Sequence, residues 1–267
     1  MVLSLPWIRN FAALALHSPG RADFHHARLL AGDFPNRLYV HAQTSRMTAP
    51  HETRTLFVNG PAGRLEATLW TPAEPAAHGA PRFAAVVCHP HPLFGGTMHN
   101  KVVYQAAKSL AGLGLPVLRF NFRGAGLSEG AHDRGRGEVQ DVQAALDFLA
   151  GEFPATPLLL AGFSFGSWVG LRAGCADPRV ARLIGLGIPV NNCDFSFLAD
   201  CAKPKLFVHG ENDEHGTIAK VREVFAAGLN DKTLVVVPDA DHFFAGKLHQ
   251  LDRAILDWLT PAVAQHP

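Results

Sequence analysis

The chain has 267 residues, 48% of them hydrophobic and 18% charged, and its 24 Lys and Arg against 23 Asp and Glu leave a formal net charge of +1. That composition excludes a mainly disordered chain, a basic face for nucleic acid and an acidic solvating tail, and no apolar run approaches the ~20 residues of a membrane span. Cys88, Cys175, Cys193 and Cys201 form no CxxC pair and read as reduced, buried thiols, with a Cys193–Cys201 bridge across a short loop as the lesser alternative.

Residues 1–50 carry scattered His and Arg without a sustained period and read as an N-terminal extension of uncertain structure. Arg9 and Asn10 interrupt their apolar stretch and no A-x-A-like site follows, which argues against a secretory signal. Met47 stands just before the first clear strand pattern, so residues 1–46 could lie upstream of a native start. Residues 51–267 read as one α/β domain.

From Thr53 onward, apolar β-rich runs alternate with helix-period segments, as in a parallel sheet covered on both faces. Thr53–Asn59 and Arg64–Thr71 alternate like an antiparallel hairpin at a sheet edge, and residues 72–81 are a loop. Buried strands are predicted over Phe83–Cys88, Val117–Phe122, Pro157–Gly162, Val180–Ile188, Lys205–Val208 and Thr233–Val237. Helices are predicted over Lys101–Leu113, Gly137–Gly151, Phe165–Gly174, Ile218–Leu229 and Phe244–Leu259.

The sharpest signal is Gly162-Phe163-Ser164-Phe165-Gly166, between the apolar run PLLLA and a helical stretch. A strand-to-helix turn of this kind lifts a serine hydroxyl to the positive end of the following helix, and the glycines admit close backbone approach. Such a hydroxyl needs a base held by a third group. Asp213 falls just beyond the strand in KPKLFVHGEND, and His242 falls in the loop after TLVVVPDADHFF. Glu211, Glu214, Asp239 and Asp241 are rival carboxylates, and His215 reads as a surface residue. An oxyanion hole would use the Phe165 N–H and, because Pro90 and Pro92 lack an N–H, that of His91 as the nearest donor, with Leu93 and Phe94 behind it.

With HPHPLFGGTMHNK (89–101), RFNFRGAGLSEG (119–130), GFSFG (162–166), HGENDE (209–214) and DADHFF (239–244), the chain from Thr53 to Leu259 resembles the α/β-hydrolase superfamily, specifically its small, nearly cap-less serine esterases related to dienelactone hydrolases. The elbow has Ser where dienelactone hydrolase has Cys. The resemblance implies a mostly parallel, twisted sheet of about eight strands with helices on both faces and little or no cap. It also implies a serine carboxylesterase with Ser164, Asp213 and His242 as triad, Phe165 and His91 as oxyanion donors and no cofactor or metal. Residues 189–203, where a lid would enter, number only 15, which points to short or medium acyl chains. Phe94, Phe163 and Phe243 are candidates to line the substrate pocket.

Several other readings compete. Thioester hydrolysis, peptide hydrolysis and acyl transfer run through the same acyl-enzyme. His89 and His91 form an H-x-H pair that could ligate a metal, although His89 reads better as a brace for the oxyanion loop. Gly124–Gly130 is one residue out of register for a dinucleotide loop, and Arg119 and Arg123 read as loop braces. A binding module with a decayed site is the non-enzymatic alternative. The expected partner is a small ester in a cytoplasmic setting, with no nucleic acid and no membrane span, and monomer and homodimer stay open.

Overall fold

The computed structural model describes residues 51–73, 81–227 and 231–264. The extension predicted over residues 1–50, most of the 72–81 loop and the end of the fourth predicted helix lie outside the described residues. The strands are β1 (His51–Gly60), β2 (Gly63–Pro72), β3 (Ala84–Cys88), β4 (Val117–Phe120), β5 (Leu158–Phe163), β6 (Val180–Leu186), β7 (Lys205–Gly210) and β8 (Lys232–Val237). They form one eight-stranded sheet in the order β1-β2-β4-β3-β5-β6-β7-β8. The β1–β2 and β2–β4 pairs are antiparallel and the others parallel, so β1 and β2 are the predicted edge hairpin.

The helices are α1 (Lys101–Ala111), α2 (Arg136–Glu152), α3 (Phe165–Ala176), α4 (Ile218–Ala227) and α5 (Leu248–Ala264). Side chains of α1 and α5 share one apolar cluster, and those of α2, α3 and α4 share the other. β5 explains why the central strands read as unbroken apolar runs: Leu158 and Leu160 enter the α2–α4 cluster, while Leu159, Ala161 and Phe163 enter the α1–α5 cluster. Each fully buried leucine or phenylalanine contributes about 1.5–3 kcal/mol relative to exposure. α5 starts at Leu248, four residues later than predicted, because Phe244 and Gly246 take positive φ angles of 51° and 69° and interrupt the helix.

Arg119 and Arg123 are both buried, each against partners of its own. Arg123 forks onto Asp141 of α2, at 2.7 Å from Nη2 to Oδ1. Arg119 lies within β4, its guanidinium 4.2 Å above the Trp70 ring, and donates to the Met98 carbonyl at 3.0 Å. Both brace loops at the C-terminal edge of the sheet. The connection between β6 and β7 has a single short 3₁₀ turn, Ser196–Leu198, and Phe195, Leu198 and Cys201 anchor it in the α2–α4 cluster. It builds no cap. All four cysteines are free. Among the described residues no helix is long and apolar enough to cross a membrane.

Candidate active site

Four strand ends meet at one rim of the sheet. β5 ends in Phe163, and the next residue, Ser164, has φ 54° and ψ −122°, a conformation that a non-glycine residue holds only under tertiary constraint. The constraints are visible. Ser164 N–H donates to the Leu186 carbonyl at 3.0 Å, and the Ser164 carbonyl accepts from Ser167 N–H and Oγ at 2.9 and 2.6 Å. A Cβ on Gly162 would stand 2.3 Å from the Gly166 carbonyl oxygen, and one on Gly166 would stand 2.4 Å from that of His89. The elbow therefore requires both glycines, and the first turn of α3 is pressed against the end of β3.

Ser164, Asp213 and His242 come together from separate loops. His242 Nε2 lies 2.9 Å from Ser164 Oγ, and His242 Nδ1 lies 2.8 Å from Asp213 Oδ2. A carboxylate only accepts, so the proton belongs on Nδ1, and Nε2 is left to accept the serine hydroxyl. Ser164, Asp213 and His242 are 6%, 4% and 2% exposed, so the serine is the least sheltered of the three. Burial alone would raise the Asp213 carboxyl, but the hydrogen bond and charge of His242, the nearby His209 and the His215 N–H hold it below the usual carboxylate range.

The rival carboxylates are otherwise engaged. Glu211 accepts from Asp239 N–H at 3.0 Å, and Asp241 accepts from Ala245 N–H at 2.9 Å. The side chains of Asp239 and Glu214 are 82% and 60% exposed.

His91 and Phe165 are neighbours, with ring centroids 4.8 Å apart. The His91 carbonyl accepts from the N–H groups of Phe94 and Gly96, folding residues 91–96 into a tight turn at the end of β3. His89 braces that turn. Its Nδ1–H donates to the Pro90 carbonyl at 2.6 Å, and its Nε2 accepts from Phe122 N–H at 2.9 Å. With both ring nitrogens committed to backbone, His89 is not available as a metal ligand. Burial lowers its pKa to about 3, and burial beside His132 lowers that of His91 to about 4.

Two expectations need correction. Phe163 has no exposed surface, so it lines no substrate pocket; its ring packs under His242. The parity of β5 turns it into the α1–α5 core. Phe94 and Phe243, 41% and 37% exposed, do stand at the rim. His215 is buried instead of superficial, its ring edge-on to that of His242 at 4.4 Å. His209, a further imidazole beneath Asp213, was not singled out from sequence, because a strand histidine gives no local sign of what its side chain faces.

Comparison with known proteins agrees with this fold. Residues 79–190 match the serine aminopeptidase S33 family. The uncharacterized protein RP471 of Rickettsia prowazekii is 39% identical over 213 residues, 76% of this chain and 87% of that protein. An α/β serine hydrolase without a lid from Xanthomonas campestris is 37% identical and superposes with a TM-score of 0.73, covering 82% of this chain and 98% of that one. An α/β serine hydrolase homologue from Coxiella burnetii, also 37% identical, gives a TM-score of 0.71 over 76% of this chain and 96% of that one. The chain belongs to the lid-less α/β serine hydrolases.

Proposed function

We propose that this hydrolase cleaves carboxylic esters of short or medium acyl chain through an acyl-enzyme on Ser164. The observation that carries the reading is the unbroken hydrogen-bond line from Ser164 Oγ through His242 to Asp213, at 2.9 and 2.8 Å. His242 Nε2 takes the hydroxyl proton as Oγ attacks the acyl carbon, then returns it to the leaving alcohol. Asp213 holds the imidazole tautomer and stabilises the imidazolium. The N–H groups of Phe165 and His91 receive the charge that develops on the carbonyl oxygen, a contribution of about 2.7–4 kcal/mol per donor. Water, deprotonated by His242, releases the acid. The steps require no metal or cofactor.

The pinned connection between β6 and β7 supports an open site, suited to small esters more than to long lipid chains. The four unbridged thiols support a reducing, cytoplasmic setting. A fluorophosphonate should label Ser164, and Ser164→Ala should lower kcat for p-nitrophenyl butyrate about a thousandfold or more with the fold intact. Near-normal turnover in that variant refutes the assignment, and faster cleavage of long-chain esters than of butyrate refutes the chain-length claim.

The match of residues 79–190 to the serine aminopeptidase S33 family favours a second reading, peptide-bond hydrolysis by the same serine. Turnover of alanine p-nitroanilide exceeding that of p-nitrophenyl butyrate would select it.

A further inference from the structure

His209 is the fifth of the six residues of β7 and has no exposed surface. Leu206 and Val208 of the same strand enter the α1–α5 cluster, and Phe207 enters the other. Strand alternation puts His209 on the side of Phe207, where an apolar side chain would serve packing equally well. A buried polar ring there costs about 1–3 kcal/mol unless it is hydrogen-bonded, so its partners matter.

Those partners belong to the segment that carries Asp213. His209 Nε2 lies 2.6 Å from the Gly216 carbonyl oxygen and 3.5 Å from Asp213 Oδ2. A carbonyl only accepts, so the proton sits on Nε2 and points to that segment. Nδ1 makes no hydrogen bond among the described residues. Residue 216 is closed down on the ring: a Cβ there would stand 2.8 Å from His209 Cε1 and 2.4 Å from the Ile188 carbonyl oxygen. At the other end, Asp213 Oδ1 accepts from His215 N–H at 2.8 Å. Residues 213–216 are thus fastened by the carboxylate's own turn and by His209, and Asn191 adds its N–H on the His215 carbonyl at 3.0 Å and its Nδ2 on the Glu214 carbonyl at 3.0 Å.

We propose that His209 is a positioning residue whose Nε2–H anchors the Gly216 carbonyl and so fixes Asp213 Oδ2 on Nδ1 of His242. The proposal rests on reading Ser164, His242 and Asp213 as the working triad. The groups that face this contact are His209 from β7, Asp213, Glu214 and His215 from the following loop, and Ser164 and His242 from the β5 and β8 ends. Released from its anchor, the carboxylate leaves Nδ1 for part of the time. The imidazolium then loses its partner, and the acid limb of the pH profile moves to lower pH.

The test compares the full chain with its His209→Leu and His209→Gln variants on p-nitrophenyl butyrate. His209→Leu should lower kcat about ten- to a hundredfold, taking as a guide the range for outer partners that orient metal-ligating side chains. KM should stay within twofold of the parent, and the acid limb should shift downward. His209→Gln, which keeps a donor on the side chain, should recover most of kcat and the parental limb. A packing role alone would leave kcat and the limb of the leucine variant at parental values, and that result overturns the proposal, as does a glutamine variant as impaired as the leucine one. If the leucine chain does not fold, Gly216→Ala attacks the same contact through its acceptor and should give the same kcat-specific loss; parental kinetics there also overturn it. Fluorophosphonate labelling of the parent separates the two levels: no label on Ser164 defeats the triad reading, whereas a labelled parent with unchanged variants defeats only the anchoring role of His209.

Discussion

The ring of Phe163 lies beneath the imidazole of His242, centroids 5.0 Å apart and planes inclined by 33°. It gives the base a rigid apolar floor without touching solvent. Phe163→Ala should destabilise the fold by about 3–5 kcal/mol, the usual cost of emptying a buried aromatic site. Folded protein should show a lower kcat with KM little changed, because the floor orients His242 and does not meet the acyl group. Urea unfolding and steady-state kinetics measure the two effects, and a raised KM with normal kcat would return Phe163 to the substrate pocket.

Gly187 provides the space in which Asp213 meets His242. It has φ 50°, and a Cβ there would stand 3.0 Å from Phe163 Cε2 and 3.4 Å from both Asp213 Oδ2 and His242 Cε1. Gly187→Ala combines a left-handed backbone penalty of about 1–2 kcal/mol with crowding of the dyad. We expect a lower Tm and about a tenfold fall in kcat. Parental kcat at a reduced Tm would limit the role of Gly187 to the backbone.

Gly166→Ala attacks the other half of the site. Its Cβ would meet the His89 and Cys88 carbonyl oxygens at 2.4 and 2.5 Å, so α3 must back away from β3 and carry the Phe165 N–H with it. If that N–H receives the oxyanion, kcat should fall about 10²–10³-fold in the protein that folds. Equal loss of fluorophosphonate labelling and ester turnover would support this account, and unimpaired turnover would contradict it.

Acid should weaken the fold before the carboxylates titrate. Burial lowers the His89 pKa to about 3, whereas the unfolded chain restores an ordinary histidine near 6.5. Below about pH 6.5 the unfolded state binds the extra proton, so stability falls as pH drops from there toward 3. The slope is about 1.4 kcal/mol per pH unit for this fully buried ring. His91, His209 and His215 are lowered in the same direction. His89→Gln keeps an acceptor for Phe122 N–H, and its urea midpoints between pH 7 and 4.5 should fall less steeply than those of the parent. Parallel slopes would remove His89 from the account.

The parts of the molecule legible in the sequence are those in which chemistry and spacing are local. PLLLA followed by GFSFG specifies strand, elbow and helix within ten contiguous positions of one motif, 157–166, and the loops bearing Asp213 and His242 follow apolar runs that could only be buried strands. What escaped depends on faces and on distance in space. Phe163 stands next to the serine in sequence, yet its parity with Leu159 and Ala161 directs it inward. His215 gains meaning only when the loop after β7 meets the 238–247 loop, and His209 only when that same loop folds back over the end of β7. The break before α5 turns on two positive φ angles at Phe244 and Gly246, one of them at a phenylalanine that no propensity would nominate.

The segment joining β6 to β7 is tied to the globule by Phe195, Leu198 and Cys201, below the rim where Ser164 and His242 emerge. Its start serves the site, through Gly187 beside the dyad and Asn191 on the Glu214 and His215 carbonyls, so the stretch beyond Asn191 is the natural place to graft foreign polypeptide. A transplanted helical hairpin there could be selected for new substrate tastes while the chemical apparatus stays untouched.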